Sequence, residues 1–462
     1  MKNRVLVCIA TVLVAVVSLA PLSAAADRAA VASTAEAIEE QVISWRRDIH
    51  QHPELGNREF RTAALVAKHL RELGLETVIT EVAHTGVVGV LRGGRPGPVV
   101  ALRADMDALP VKEVSDLPFA SQVTADYNGQ QVPVMHACGH DNHVAILMGA
   151  AQVLAGMRSE LAGTVKFIFQ PAEEGPPAGE EGGAKMMVDE GVLADPEPEV
   201  IFGLHVGPMP GGSLNYRPRG ALAAADGLQI LVEGSQTHGA FPWMGVDPVV
   251  IAAQIISALQ IIPSRQLDIT TAPAVVSIGS IHGGVRGNII PDQVEMTGTI
   301  RTFDPEMRED FHRRIRRTAE SIGTAAGAEV TVEIESYAPV TFNDPELTAR
   351  MVPTLEWAAG DARLVNEIPR IMGAEDFAFY QEQIPGFYFF LGVNADGVDP
   401  ADAAPNHSPR FFANEDALIV GVRAMAGLVV DYLSLAVPSF SQDEGQTQLE
   451  NSSSVRLSSE QE

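Results

Sequence analysis

Cysteine is nearly absent from this chain. Only Cys8 and Cys138 occur among 462 residues, which excludes a scaffold stapled by disulfides. Positive charge is scarce as well. Lys and Arg number 32 against 59 Asp and Glu, a formal net charge of −27. A nucleic-acid binder needs a basic face to neutralise phosphates, and no such face can be built here. An acidic substrate could be held only by local Arg, Lys or metal charge. No internal repeat is present. Beyond the N-terminal run, no stretch reads as long and apolar enough to span a bilayer.

The apolar fraction is 46%, enough for real cores, and the length suggests two domains. Lys2 and Arg4 precede an apolar run from Val5 to Leu22, and Ala24-Ala25-Ala26 follow. That order predicts a signal peptide over residues 1–26 and a secreted or periplasmic protein with no stable membrane span after cleavage. A retained anchor is the alternative. Cleavage would leave Cys138 as the one thiol, either buried and inert or tied up by a metal. The polar segment 439–462 is expected to be disordered.

Helical periodicity is read over 35–52, stopped by Pro53, and over 58–73, closed by Gly74. Apolar strands at 87–92, 98–103, 164–169 and 200–204 alternate with a helix at 142–157. Continuous apolar strands between helices predict an α/β sheet covered on both faces. The pattern changes near residue 220. Strand 227–233, helix 248–262, strands 274–281 and 293–303, helix 305–326 and strand 329–336 form a βαββαβ order, a ferredoxin-like split βαβ unit. It would be inserted into the first domain, so that residues 27–219 and 337–438 make one body and 220–336 another. Helix 345–359, strand 386–393 and helix 415–435 resume the first pattern.

The chemistry-bearing residues gather at predicted strand ends and loops. MHACGHDNH (135–143) sets Cys138 and His140 two apart in a glycine-containing turn, taken to precede the helix. Thiolate and imidazole are zinc-type ligands; one buried cysteine among surface histidines is the bland alternative. QPAEEG (170–175) puts Glu173 and Glu174 after a buried strand, where a sheet of this class binds ligands. They could be a solvated loop, or one could ligate metal while the other handles protons. His205 follows the strand VIFGL, Asp105 and Asp107 follow VVALR, and His407 sits in the loop PNHSP. Cys138, His140, Glu174, His205 and His407 thus fall on one expected edge. Five donors suit two ions about 3.5–4 Å apart better than one closed tetrahedral site, and Cys138 could bridge them.

WRRDIHQHPELGNREFRTA, ALRADMDALP, MHACGHDNH, QPAEEG, GLHVGP, GNIIPDQVEMTGTIRTF, MGAEDFAFY and NHSPRF follow one another along nearly the whole mature chain. In this the chain resembles the amidohydrolase branch of the metallopeptidase family that includes aminoacylases, carboxypeptidase G and plant indole-acetyl-amino-acid hydrolases. The resemblance implies a zinc-peptidase-like α/β catalytic domain with an inserted lid and dimerisation domain, and hence a homodimer. It implies two divalent ions, zinc or manganese, on Cys138, His140, Glu174, His205 and His407. Glu173 would be the general base, and Asp107 an acid orienting a ligand. From the inserted domain, His238 would steady the oxyanion, and Asn288 and Arg301 would hold a substrate carboxylate. The family usually shows a GGHA run where this chain reads SQTHGAFPW, with Trp243 near a position where relatives often carry histidine.

The expected activity is hydrolysis of the amide bond of an N-acyl amino acid by metal-activated water. A dipeptidase or carboxypeptidase would use the same centre. A non-catalytic periplasmic binding protein is the third reading, against which Glu173 counts, because binding alone needs no base.

Overall fold

The computed structural model describes residues 20–436. The expected signal segment lies mostly outside the described residues, and the tail 439–462 wholly so. A helix, Ala20–Ala37, runs through the expected cleavage point after Ala26, and Arg28 pairs with Asp431 at 2.7 Å.

Eight strands form the central sheet, in the order Thr77–Val82, Gly86–Arg92, Ala162–Gln170, Arg95–Asp105, Val200–Gly207, Gly386–Gly392, Leu214–Tyr216 and Val365–Glu367. The four central strands, from Ala162–Gln170 to Gly386–Gly392, are mutually parallel. Their flanking neighbours run antiparallel, so the sheet is mixed. Alternation assigns each side chain a face. Phe167, Phe169, Phe202, Phe387 and Phe389 turn to helices His140–Gly156 and Leu418–Ala436, while Ile168, Ile201, Tyr388 and Phe390 turn to Met187, Phe377 and Tyr380. Both faces are therefore covered, as the apolar runs predicted. Helix His140–Gly156 is buried on nearly every side, which explains why its sequence carries no polar stripe.

Three helices begin on the same device. Asp247, Asp304 and Asp344 each cap a helix whose first residue is proline, accepting backbone N–H bonds from Val249, Met307 and Leu347 respectively. The carboxylate satisfies an orphan donor, and proline occupies the one position that needs none. Gly327 and Gly360, both left-handed, close the last two helices.

A second sheet of four antiparallel strands has the order Ala274–His282, Gln293–Thr302, Ala225–Glu233, Glu329–Ala338. Helices Pro248–Leu259 and Pro305–Ala326 cover one face through Ile251, Ile255, Phe311 and Ile315. The other face shows Gln229, Glu233, Glu295 and Glu333 to solvent. Near the chain crossing, buried Asp226 takes a 2.5 Å bond from Arg308 Nη2 and lies 2.9 Å from His312 Nε2. Burial alone would raise its carboxyl, but the bonds from His312 and Arg308 outweigh it and hold it below its usual range.

One expectation needs correcting. Among the described residues, two helical stretches, Pro248–Arg265 and Glu415–Leu435, are long and apolar enough to cross a membrane. The second is mostly buried against the sheet, so its apolar character serves the core. About a third of the first is buried, and it supplies core residues beneath the second sheet.

Candidate metal centre

Sequence segments far apart meet at the carboxyl ends of the parallel strands. Asp105 ends one strand, and Glu173 and Glu174 follow the next after Gln170. His205 lies inside strand Val200–Gly207 rather than just after it, opposite Phe390. His140 is the first residue of helix His140–Gly156 rather than outside it. Gly139 makes the turn possible with φ 97°, and a Cβ there would lie 2.4 Å from Val206. His407 arrives on the loop after strand Gly386–Gly392, itself left-handed with φ 68°. That loop is tied down by Asn406, whose Nδ2 donates to Cys138 O at 2.8 Å and Val206 O at 3.1 Å, and by His407 N–H donating to Ala137 O at 2.8 Å.

Cys138 Sγ lies 3.3 Å from His205 Nε2 and 3.3 Å from His407 Nε2. His407 Nε2 is 2.9 Å from Glu174 Oε1. His140 Nε2 is 3.7 Å from Glu173 Oε2 and 4.0 Å from Glu174 Oε1. One thiol has one proton, so it cannot bond two imidazoles as donor. The His205 ring settles its own tautomer. Its Nδ1 is 2.7 Å from Val206 O, and a carbonyl only accepts, so in the neutral ring Nε2 presents a lone pair toward sulfur. The Nδ1 of His140 is likewise 3.2 Å from Asp107 Oδ1, and its buried Nε2 has no hydrogen-bond partner. Two ligands of one zinc-type ion are separated by about 3.3–3.6 Å at ordinary bond lengths, the spacing seen around Cys138. The donors fall into triads that share members, Cys138–His140–His205, Cys138–Glu174–His407 and His140–Glu173–Glu174.

Protonation points the same way. Burial pushes the Cys138 thiol well up, and Glu174 and Glu173 push it further. Burial also raises the Glu173 carboxyl well above its usual range, reinforced by Glu375 and Glu174. Burial opposes charge on His140, but Asp105 and Asp107 outweigh it and move that ring up to about 10. Neighbouring carboxylates contribute to all three directions, beside burial, and a bound divalent ion would reverse that contribution. The buried, unpartnered His140 Nε2 and the thiolate–imidazole–carboxylate set fit a metal centre.

Asp107 supports the cluster from beneath. Beside His140, its two oxygens accept the backbone N–H of Glu173 and of Glu174, each at 3.0 Å, an arrangement typical behind metal ligands. Asp105, whose purpose the sequence left open, lies 2.5 Å from His143 Nδ1 and accepts Arg103 Nη1 at 2.6 Å. His143 Nε2 accepts Val206 N–H at 2.8 Å, so both its nitrogens are spent and it is no free ligand. His238, Asn288 and Arg301 stand apart. His238 is exposed on a two-residue strand beside Asn288, whose carbonyl accepts Gly239 N–H at 2.8 Å. Arg301 Nη1 donates to Thr299 Oγ1 at 2.5 Å and Ile300 O at 2.9 Å. Among the described residues, no hydrogen bond or ion pair joins these three to the five donors.

Sequence reasoning missed one network. Buried Arg103 reaches Glu375 at 3.0 Å and Asp376 at 2.9 Å, and Tyr388 Oη donates to Glu375 at 2.5 Å. The triad Asp105–Glu173–Glu375 joins it to the metal centre. An arginine inside an apolar strand was the available signal, since a buried charge must be paired.

Comparison with known proteins agrees with this geometry. Peptidase family M20/M25/M40 matches residues 101–431. The chain belongs to that family. "Thermostable carboxypeptidase 2" of Saccharolobus solfataricus is 41% identical over 397 residues, 86% of this M20 chain and 96% of that protein. "N-acetylcysteine deacetylase" of Bacillus subtilis is 38% identical over 396 residues, covering 86% and 97%. The crystal structure of the Bacillus subtilis YXEP protein, a dinuclear metal binding peptidase from M20 family, superposes with TM-score 0.70 at 37% identity, over 87% of this chain and 100% of that one. As members of the family are, this protein is a hydrolase of amide or peptide bonds.

Proposed function

We propose that this M20 protein hydrolyses the amide bond of N-acyl amino acids with a free carboxylate, using two divalent ions, zinc or manganese, on Cys138, His140, Glu174, His205 and His407. The observation that carries the proposal is the sharing of Cys138 between two donor triads, with Glu173 beside His140. Ions held there would supply Lewis acidity, lowering the pKa of water from about 15.7 toward about 7 and polarising the scissile carbonyl. Glu173 would take a proton from the attacking water and deliver it to the leaving amine. Asp107 holds His140 and the backbone of both glutamates in place. His238 stabilises the oxyanion, while Asn288 and Arg301 fork to the substrate carboxylate. These three need residues 220–336 to close as a lid about hinges near Gly220 and Ser336.

The name of the archaeal relative favours a second reading, carboxypeptidase action on short peptides. A panel of N-acetyl-, N-benzoyl- and indole-acetyl-amino acids and unblocked dipeptides separates the two, assayed on chelated protein with Zn²⁺ or Mn²⁺ restored. Metal-dependent turnover of the blocked amino acids is expected. Turnover of dipeptides alone would move the assignment to peptidase.

The protein is also proposed to be secreted or periplasmic and a homodimer through the inserted domain. The exposed Val249 and Val250 on helix Pro248–Leu259 support the second point. Protein recovered from the periplasm or medium should start at Asp27 and sediment at micromolar concentration with twice the chain mass. An intact leader or a monomer would sink the corresponding half.

A further inference from the structure

The segment HPELGNREF, residues 52–60, carries no role in the chemistry above, yet it wraps the acidic turn. Glu59 stands at the N-cap of helix Phe60–Glu72 and is fully buried. Its Oε1 accepts Ala172 N–H at 2.8 Å, and its Oε2 accepts the Thr85 hydroxyl at 2.5 Å. Among the described residues it makes no ion pair. Burial, reinforced by Asp107, pushes its carboxyl up to about 8, so an unpaired acid here costs stability and must return something else.

What it holds is unusual backbone. Ala172 has φ 50°, a region that residues with a Cβ rarely enter and keep only when their surroundings over-determine it. The next two N–H groups go to Asp107. Three consecutive donors, of Ala172, Glu173 and Glu174, are thus taken by two buried carboxylates. Neighbours complete the frame. A Cβ on Gly56 would lie 3.0 Å from Gly175 O and 3.2 Å from the Ala172 side chain, so any larger residue would push the turn back by a few tenths of an ångström. Left-handed Asn57 donates to Glu181 O at 2.9 Å, and Arg58 Nη2 donates to Glu180 at 2.5 Å, fixing the loop beyond.

We propose that Glu59 is a positioning residue that, opposite Asp107, locks the turn 171–175 so that Glu173 meets the reacting water and Glu174 meets its ion. The inference rests on the reading of Glu173 as base and Glu174 as ligand. It gives the 52–60 segment a purpose that its distance from the reacting atoms conceals.

The test compares Glu59→Ala, Glu59→Gln and Glu173→Gln with the parent in the full chain, using the panel's best acylated amino acid. Cobalt(II)-substituted protein supplies a second readout, the absorption band of the Cys138 thiolate. For Glu59→Ala, kcat should fall about 10²-fold with KM within about threefold, since a small misplacement at the reacting atom is that damaging. The cobalt–thiolate band should persist. Glu59→Gln should keep at least about a third of kcat, because its amide oxygen still accepts from Ala172, and should melt no lower than the parent. A Glu59→Ala kcat within about threefold of the parent overturns the inference, as does parallel loss of kcat, cobalt band and melting temperature in both variants, which marks a merely structural role. Undiminished turnover in Glu173→Gln overturns the base assignment, and the inference with it, through a readout independent of Glu59.

Discussion

Glu173→Gln is expected to lower kcat by roughly 10²–10⁴-fold while both ions stay bound. The substitution keeps size and shape, and the backbone N–H at this position still donates to Asp107, so the turn should not move. None of the five donors is touched. What is lost is the capacity to hold a proton between water and leaving amine. Stopped-flow or steady-state kinetics with metal analysis on the same sample checks both halves. A loss of ions along with activity would make Glu173 a ligand rather than a base. A rate within tenfold of the parent would place the base elsewhere; apart from Glu174, read as a ligand, Asp105 and Glu375 are the carboxylates grouped with Glu173. Of these, Asp105 is engaged by Arg103 and His143, while Glu375 is engaged by Arg103, Tyr388 and the Phe377 N–H, which is why neither is assigned the role.

Cys138→Ala is expected to remove both ions together. Ordinary single-ligand loss weakens one site; here the same sulfur belongs to a triad with His205 and to another with His407. Loss of even an outer-shell partner commonly costs 10–100-fold in affinity, so at least about 10²-fold per ion is expected for a shared thiolate. Metal analysis after gel filtration should find under one ion per chain, and activity should fall below roughly 1% of the parent, as expected when water activation is lost. Retention of one full ion would show that Cys138 serves one site only. The variant also keeps a buried position small and apolar, so the fold should survive its making.

Much of the architecture was open to reading because its causes are local. The helices 305–326 and 345–359 have the bounds expected, and a local cap of Asp before Pro fixes each start. Uninterrupted apolar strands implied a sheet covered twice. The five candidate donors were read for a different reason: each was placed at a strand end or in a loop, on the edge where a sheet of this type binds ligands, and the structure brings them close together. Roles within the cluster were not legible. His140 and His143 are three residues apart in one motif, yet one offers a free nitrogen and the other spends both on Asp105 and Val206. Arg103 finds Asp376 from 273 positions away, and Glu59 reaches Ala172 across 113. Residue type and spacing decide what a side chain can do. Where its lone pairs point, and what already occupies them, depends on contacts between segments remote in the chain, and only packing brings those together.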